Sequence, residues 1–317
     1  MNKNFYKRTI LLSTALASLG IANAYIFNKT EVLPDILEGD ANYFFSHFGN
    51  IYYVEKGSGE PLLLIHGLAS GVSSFMWRKN FDELSKNHRV YAIDMPGFGK
   101  SQKLPITYTS KVYRDVIKGF ITNITGYPVN IIADSQSAAY VIRLEKENPG
   151  LVKKLIAICP TGVFELSKEP SSSKKMITEL FKLPIVGTSM YNLLVSKPGI
   201  KYFIGRQTYY NKDLATKYVL EHYTRSSRQN RSLSKYAPAS FLGGYLNENI
   251  TNELHEIDIP MLVVWGKNAK MNSVKNLDSF KDLKPNIEHY VFDKCGFLPQ
   301  EEYAVEFNTL CNDFLQK

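Results

Sequence analysis

Six histidines are the side chains in this sequence best suited to acid–base chemistry, because imidazole titrates near neutral pH. A serine hydroxyl becomes a strong nucleophile only when such a base removes its proton. Each histidine is therefore a candidate base for a serine. The positions of the helices, strands and loops that carry the histidine and the serine decide whether their side chains come within hydrogen-bond reach. The six are His47, His66, His88, His222, His255 and His289.

The composition indicates a packed globular protein without a cofactor. The chain has 317 residues, of which 44% are hydrophobic, enough for one large core. Cys159, Cys295 and Cys311 are too few and too scattered for a disulfide framework or a metal cluster. The sequence contains no metal, nucleotide, RNA or DNA motif, so we expect no cofactor and no nucleic-acid partner.

The net charge of +8 is concentrated in one segment. Residues 163–236 carry thirteen Lys or Arg against five Asp or Glu, and the remainder of the chain is balanced. This excess could favour anionic partners such as lipid headgroups. A solvated, lysine-rich helical surface is the alternative interpretation.

The N-terminus has the pattern of a membrane segment. Lys3, Lys7 and Arg8 precede twenty uncharged residues, Thr9–Asn28, enough to cross the hydrocarbon layer of ~30 Å as a helix. Basic residues before a span remain cytoplasmic, which predicts a single N-terminal span with the domain outside the cytoplasm.

A signal peptide is the competing interpretation of this segment. Ala22-Asn23-Ala24 fits the small-x-small cleavage rule, and cleavage there would give a secreted protein. Apolar residues continue through Phe27, which favours an uncleaved anchor. A buried first helix of the domain is the third possibility, and the basic flank argues against it.

The body of the chain alternates apolar strands with amphipathic helices, which predicts a doubly wound, mostly parallel α/β sheet. The predicted strands are Ile51–Glu55, Pro61–His66, Val90–Met95, Val129–Ala133, Leu155–Cys159, Met261–Trp265 and Ile287–Phe292. The predicted helices include Ser74–Lys86, Tyr113–Thr122, Ser137–Asn148 and Glu302–Leu315.

The alternation is interrupted once, where short helical stretches are punctuated by Pro and Gly. We expect an inserted helical cap over the carboxyl edge of the sheet, where open α/β folds bind ligands. The predicted organisation is an N-terminal anchor or signal segment at 1–28, a core at 41–162 and 253–317, and a cap at 163–252.

Several stretches together resemble the α/β-hydrolase superfamily, in particular its ester hydrolases with an inserted cap. They occur in family order: "PLLLIHGLASG" (61–71), "RVYAIDMPGFGKSQK" (89–103), "VNIIADSQSAAYVIRL" (129–144), "PMLVVWGKNAK" (260–270) and "CGFLPQEEYAVEFN" (295–308). The resemblance runs from about Phe48 to Phe314 and implies an eight-stranded sheet with a helical cap.

The resemblance implies a site around Ser135. This serine falls on the nucleophile position of the family's small-x-nucleophile-x-small elbow, read here as "ADSQS". His66 and Gly67 match the oxyanion loop, and the backbone N–H groups of Leu68 and Gln136 would be the oxyanion donors.

The other two positions of the family's Ser-His-Asp triad hold apolar residues. Ala269 stands where the resemblance places the acid, and Phe297 where it places the histidine. The triad is therefore predicted to be degenerate. Among the histidines, His222 in the cap could hang over Ser135 as a relocated base, and Glu165 could supply an acid. The alternative interpretation is that His222 is solvated or packs between helices and has no catalytic role.

Three functions remain open. The first is a membrane-tethered hydrolase-fold protein, inactive or very weak as a serine hydrolase, that binds an apolar or ester-type ligand or a protein partner. The second is a carboxylic-ester or acyl-lipid hydrolase using Ser135 with His222. The third is a scaffold that uses its basic cap and leaves its cleft empty.

Overall fold

The computed structural model describes residues 3–126 and 128–317. Met1 and Asn2, the first two residues of the predicted segment 1–28, lie outside the described residues.

One eight-stranded sheet forms the core, with the spatial order β1-β2-β4-β3-β5-β6-β7-β8. The β1–β2 and β2–β4 pairs are antiparallel, and every later pair is parallel. The strands are β1 Asp40–Ser46, β2 Gly49–Lys56, β3 Pro61–Ile65, β4 Arg89–Ile93, β5 Val129–Asp134, β6 Val152–Ile158, β7 Met261–Gly266 and β8 Glu288–Phe292.

The central strands are continuous apolar runs because helices cover the sheet around them. Leu62–Ile65 of β3 and Ile131–Ala133 of β5 are fully buried. The α-helices are α1 Lys3–Asn28, α2 Phe81–Leu84, α3 Ser110–Phe120, α4 Gln136–Glu147, α5 Ser172–Lys182, α6 Val186–Leu194, α7 Lys197–Tyr202, α8 Lys217–Ser226, α9 Tyr236–Leu242, α10 Thr251–Glu256, α11 Asn276–Leu283, α12 Pro299–Glu302 and α13 Ala304–Gln316. The predicted α/β-hydrolase sheet is thus confirmed.

The chain leaves the sheet between β6 and β7. Helices α5 to α9 lie within the predicted cap interval 163–252, joined by short 3₁₀ and π turns such as Phe203–Thr208. We refer to these five helices and their connections as the cap.

Helix α1 is apolar and mostly exposed. Its stretch Tyr6–Asn28 is long and apolar enough to cross a membrane. Signal sequences have the same length and apolar character. Its C-terminal part is attached to the cap: the Asn23 amide donates to Ser189 Oγ at 3.0 Å, and its Oδ1 accepts from Asn192 Nδ2 at 2.9 Å.

Candidate functional site

Ser135 occupies a sharp turn between β5 and α4. Its backbone has φ 54° and ψ −118°, a region that non-glycine residues adopt at a cost of ~1–3 kcal/mol. The turn is held by Ser135 N–H, which donates to Ile158 O at 2.8 Å, and by Ser137 Oγ, which donates to His66 O at 2.7 Å. The strained geometry that presents a nucleophile is therefore present.

The loop after β3 lies against this turn. A Cβ atom on Gly67 would lie 2.3 Å from Asp134 Oδ2, so a larger residue there would displace the Asp134 carboxyl. Leu68 lines the same cavity as Ser135. The Gln136 side chain is bound to Leu246 O, and its backbone N–H lies in the first turn of α4, where N–H groups lack helical partners.

His66 has a structural role in this loop. Its ring is fully buried; Nε2 accepts from Met95 N–H at 2.9 Å, and Nδ1 lies 2.6 Å from Gly67 O, to which it donates. Burial lowers the pKa of His66, more than the nearby Asp94 carboxylate raises it. The neutral imidazole therefore fixes the loop and is not free to accept a proton from Ser135.

A cavity of about 190 Å³ opens beside Ser135, between the carboxyl edge of the sheet and the cap. Most of its wall is apolar. Its core side is formed in part by Leu68, Val72 and Met76, and its cap side in part by Phe203, Ile204 and Phe241.

The predicted base position lies in this wall. Phe297 and Leu298 both line the cavity, and Phe297 N–H donates to Thr208 O in the cap at 2.6 Å. No histidine is among the lining residues in the described part of the chain. Ala269, at the predicted acid position, is buried in a loop attached to the Phe297 loop, since Asn268 N–H donates to Cys295 O at 2.8 Å.

His222 lies elsewhere. It lines a separate small cleft with Asp94 and does not line the Ser135 cavity. Its ring is stacked on Phe75 at 3.7 Å between centroids, and Nε2 is 3.5 Å from Ser73 Oγ. Burial lowers the pKa of His222 to about 3, which makes it a very weak base at neutral pH.

Two carboxyl groups do line the cavity. Glu165 was a candidate from the sequence; Asp134 was not singled out, although it stands next to the nucleophile position at the end of a fully buried strand. Asp134 is 2% exposed. Burial raises the pKa of its carboxyl well above the usual range, and Glu301 raises it further.

The loop that carries Phe297 is fastened to the cap. The Glu302 carboxylate accepts from the N–H groups of Gly296 at 2.6 Å, Tyr210 at 3.0 Å and Asn211 at 2.9 Å. Next to it, the buried Glu301 pairs with Arg78 at 2.5 Å and accepts from the Tyr209 hydroxyl. Cap and core therefore meet through polar contacts at one side of the cavity, of which the Tyr209–Glu301 contact is buried.

A sheet of this topology, with a serine on a strained strand–helix turn beneath a helical cap, defines the α/β-hydrolase class. A model of the alpha/beta hydrolase fold matches residues 60–304, and the chain belongs to that family.

Known proteins of several activities are similar to this chain. A 2-hydroxy-6-oxononadienedioate/2-hydroxy-6-oxononatrienedioate hydrolase of Pseudomonas sp is 24% identical over 288 residues, covering 89% of this chain and 95% of that protein.

Two solved structures have the same fold. A serine hydrolase involved in carbazole degradation superimposes with a TM-score of 0.72 at 21% identity, over 87% of this chain and 98% of that one. A membrane phospholipase A, described as a bacterial virulence factor, superimposes with a TM-score of 0.69 at 19% identity, over 99% of this chain and 98% of that one.

Proposed function

We propose that this protein binds an apolar ligand in the Ser135 cavity and hydrolyses esters very slowly or not at all. The observation that carries the proposal is the cavity wall itself: the residue at the base position is Phe297, and no imidazole lines the cavity in the described chain. A serine without a base remains a poor nucleophile. The hydrolase names of the relatives support the fold of this chain; they do not indicate that its Ser135 hydrolyses esters.

The apolar residues at both triad positions are mutually consistent. Loss of the histidine alone would leave a buried aspartate without its partner, at a cost of about 3–5 kcal/mol. With Ala269 and Phe297 both apolar, no such penalty arises, and the wall can pack around a ligand. The retained elbow then serves as scaffolding.

The proposal predicts that a fluorophosphonate probe labels Ser135 at a negligible rate, because the reaction requires an activated hydroxyl. The full chain would be incubated with the probe in detergent, next to an active serine hydrolase, and adducts quantified by intact mass. Rapid labelling that Ser135→Ala abolishes would refute the proposal.

The His222→Ala variant separates this proposal from the relocated-base hydrolase. We expect no change in the residual turnover of a short p-nitrophenyl ester, since His222 lies in another cleft and its pKa is about 3. A large loss of turnover in His222→Ala, matched by Ser135→Ala, would favour the hydrolase instead.

We further propose that α1 is an uncleaved membrane anchor with the domain outside the cytoplasm. The Asn23 contacts with α6 support retention, because Asn23 lies inside the small-x-small site and cleavage after Ala24 would remove it from the cap. Helix α6, the part of the cap that Asn23 contacts, also exposes two apolar side chains, Leu193 and Leu194.

Intact mass of the protein purified from membranes should therefore match the uncleaved chain, and protease added to spheroplasts should digest the domain. A mature form beginning at Tyr25 would contradict the anchor. A domain that resists protease until the cells are lysed would contradict the orientation alone.

A further inference from the structure

The charged side chains that line the Ser135 cavity are all acidic. Among the described lining residues, Asp134 and Glu165 are the only ionisable groups of the Asp, Glu, Lys, Arg and His types. Arg78, largely buried in the core, is engaged by Glu301 and is not part of the wall. A carboxylate or phosphate head would enter without a counter-charge, at a high cost in an apolar cavity.

Two buried polar atoms of the wall have no hydrogen-bond partner among the described residues. They are Asp134 Oδ1 and Thr161 Oγ1, on residues that are 2% and 4% exposed. Gln300 approaches the Asp134 carboxyl, but neither of its amide atoms reaches hydrogen-bond geometry. Both atoms are closed off from the cavity space, and an unpaired buried polar atom costs about 1–3 kcal/mol, so a side-chain rotation that turns either atom onto a ligand is favoured.

Other polar side chains in the wall are already occupied. The Asn272 amide donates to Cys159 O at 2.9 Å and to Pro160 O at 2.8 Å, and the Thr208 hydroxyl donates to Ile204 O at 2.6 Å. The polar side chains of the wall that remain are Asp134, Ser135, Thr161, Glu165 and Tyr223, and the apolar remainder is suited to a hydrocarbon chain.

We propose that the cavity takes an aliphatic amphiphile whose head donates hydrogen bonds and carries no negative charge, a hydroxyl or an ammonium, with the Asp134 carboxyl as the acceptor. This inference rests on the proposed ligand-binding function and names its ligand class. It also separates the chain from the relative whose name carries a dienedioate, a dicarboxylate.

The test compares three probes that share a six-carbon chain: hexan-1-ol, hexylamine and hexanoate. Binding to the full chain in lipid nanodiscs would be measured by calorimetry, with empty nanodiscs as the blank. We expect the alcohol or the amine to bind at least tenfold more tightly than hexanoate. Tighter binding of the amine than of the alcohol would mean that Asp134 is ionised in the complex. Tighter binding of the alcohol would mean that Asp134 is protonated there.

Two variants assign the preference to residues. In Asp134→Asn the preference over hexanoate should fall to about threefold or less, because the amide can donate to a carboxylate. In Thr161→Val the alcohol should bind several-fold more weakly, because the wall loses a hydroxyl that can both donate and accept. Melting temperatures close to that of the parent establish that both variants fold, and Glu169→Gln, which removes an exposed carboxylate outside the cavity wall, is the control that should keep the preference.

Equal or tighter binding of hexanoate to the parent protein would overturn the inference and leave ligand binding standing. A preference unchanged in both variants would overturn the assignment to Asp134 and Thr161. Failure of all three probes to bind would remove the proposed binding function together with the inference.

Discussion

The double variant Ala269→Asp/Phe297→His is expected to hydrolyse a short p-nitrophenyl ester at least about 10²-fold faster than the parent, the lower end of what general base catalysis contributes. Ser135 already has the strained elbow geometry, and Gly67 and Leu68 already form the loop beside it. Because Asn268 N–H is bonded to Cys295 O, the two substituted loops lie side by side. Initial rates measured in detergent check the gain.

The two substitutions should work only together. Phe297→His alone supplies a base that no carboxylate orients, and Ala269→Asp alone buries a carboxylate without a partner. In a comparable protease triad, losing the base costs about 10⁶-fold in turnover, so a modest restoration is readily measured. The gain should vanish when Ser135→Ala is added. A well-folded double variant with parental rates would mean that these positions do not face Ser135 as the family resemblance implies.

The strands of the parallel sheet could be predicted because burial on both faces leaves an unbroken apolar run in the sequence. All seven predicted strands are found, with ends shifted by up to three residues. The edge strand β1 is not among the predicted strands, although nearly all of it lies in the predicted core segment 41–162. It pairs with β2 alone, and Tyr43 and Phe45 are 50% and 77% exposed, so neither an apolar run nor a regular alternation marks it.

The site was predictable where a backbone turn imposes residue type. Ser135, Gly67, Leu68 and Phe297 do line one cavity, because the elbow and the oxyanion loop are local features of strand ends. His222 belongs to the cap, whose placement depends on long-range contacts such as Phe297 N–H to Thr208 O. The spacing of residues along the chain contains no such information. Asp134 could not be singled out from the sequence, because only the three-dimensional structure shows that its Oδ1 has no hydrogen-bond partner among the described residues.

The largest loss of stability from one substitution is expected for Glu301→Gln. The Glu301 side chain is completely buried and pairs with Arg78, whose side chain is 12% exposed. Burial would lower the pKa of Arg78, but the Glu301 carboxylate more than reverses this, so the Arg78 guanidinium is charged at all ordinary pH values. Neutralising Glu301 leaves a buried guanidinium unpaired, which costs about 3–5 kcal/mol, a large share of the ~5–15 kcal/mol by which a folded protein is stable.

Chemical denaturation of the full chain in detergent measures that loss, and hydrogen exchange locates it. Because Tyr209 also donates to Glu301, exchange should accelerate in the cap segment 203–211 before it does in the sheet. Glu83→Gln is the matched control: its pair with Lys86 has a similar separation of 2.5 Å, but both side chains are about half exposed or more, at 47% and 65%. Exposed pairs contribute about 0–1 kcal/mol, so this variant should be nearly as stable as the parent. Equal stabilities for Glu301→Gln and Glu83→Gln would show that the buried Glu301–Arg78 pair stabilises the fold no more than an exposed pair does.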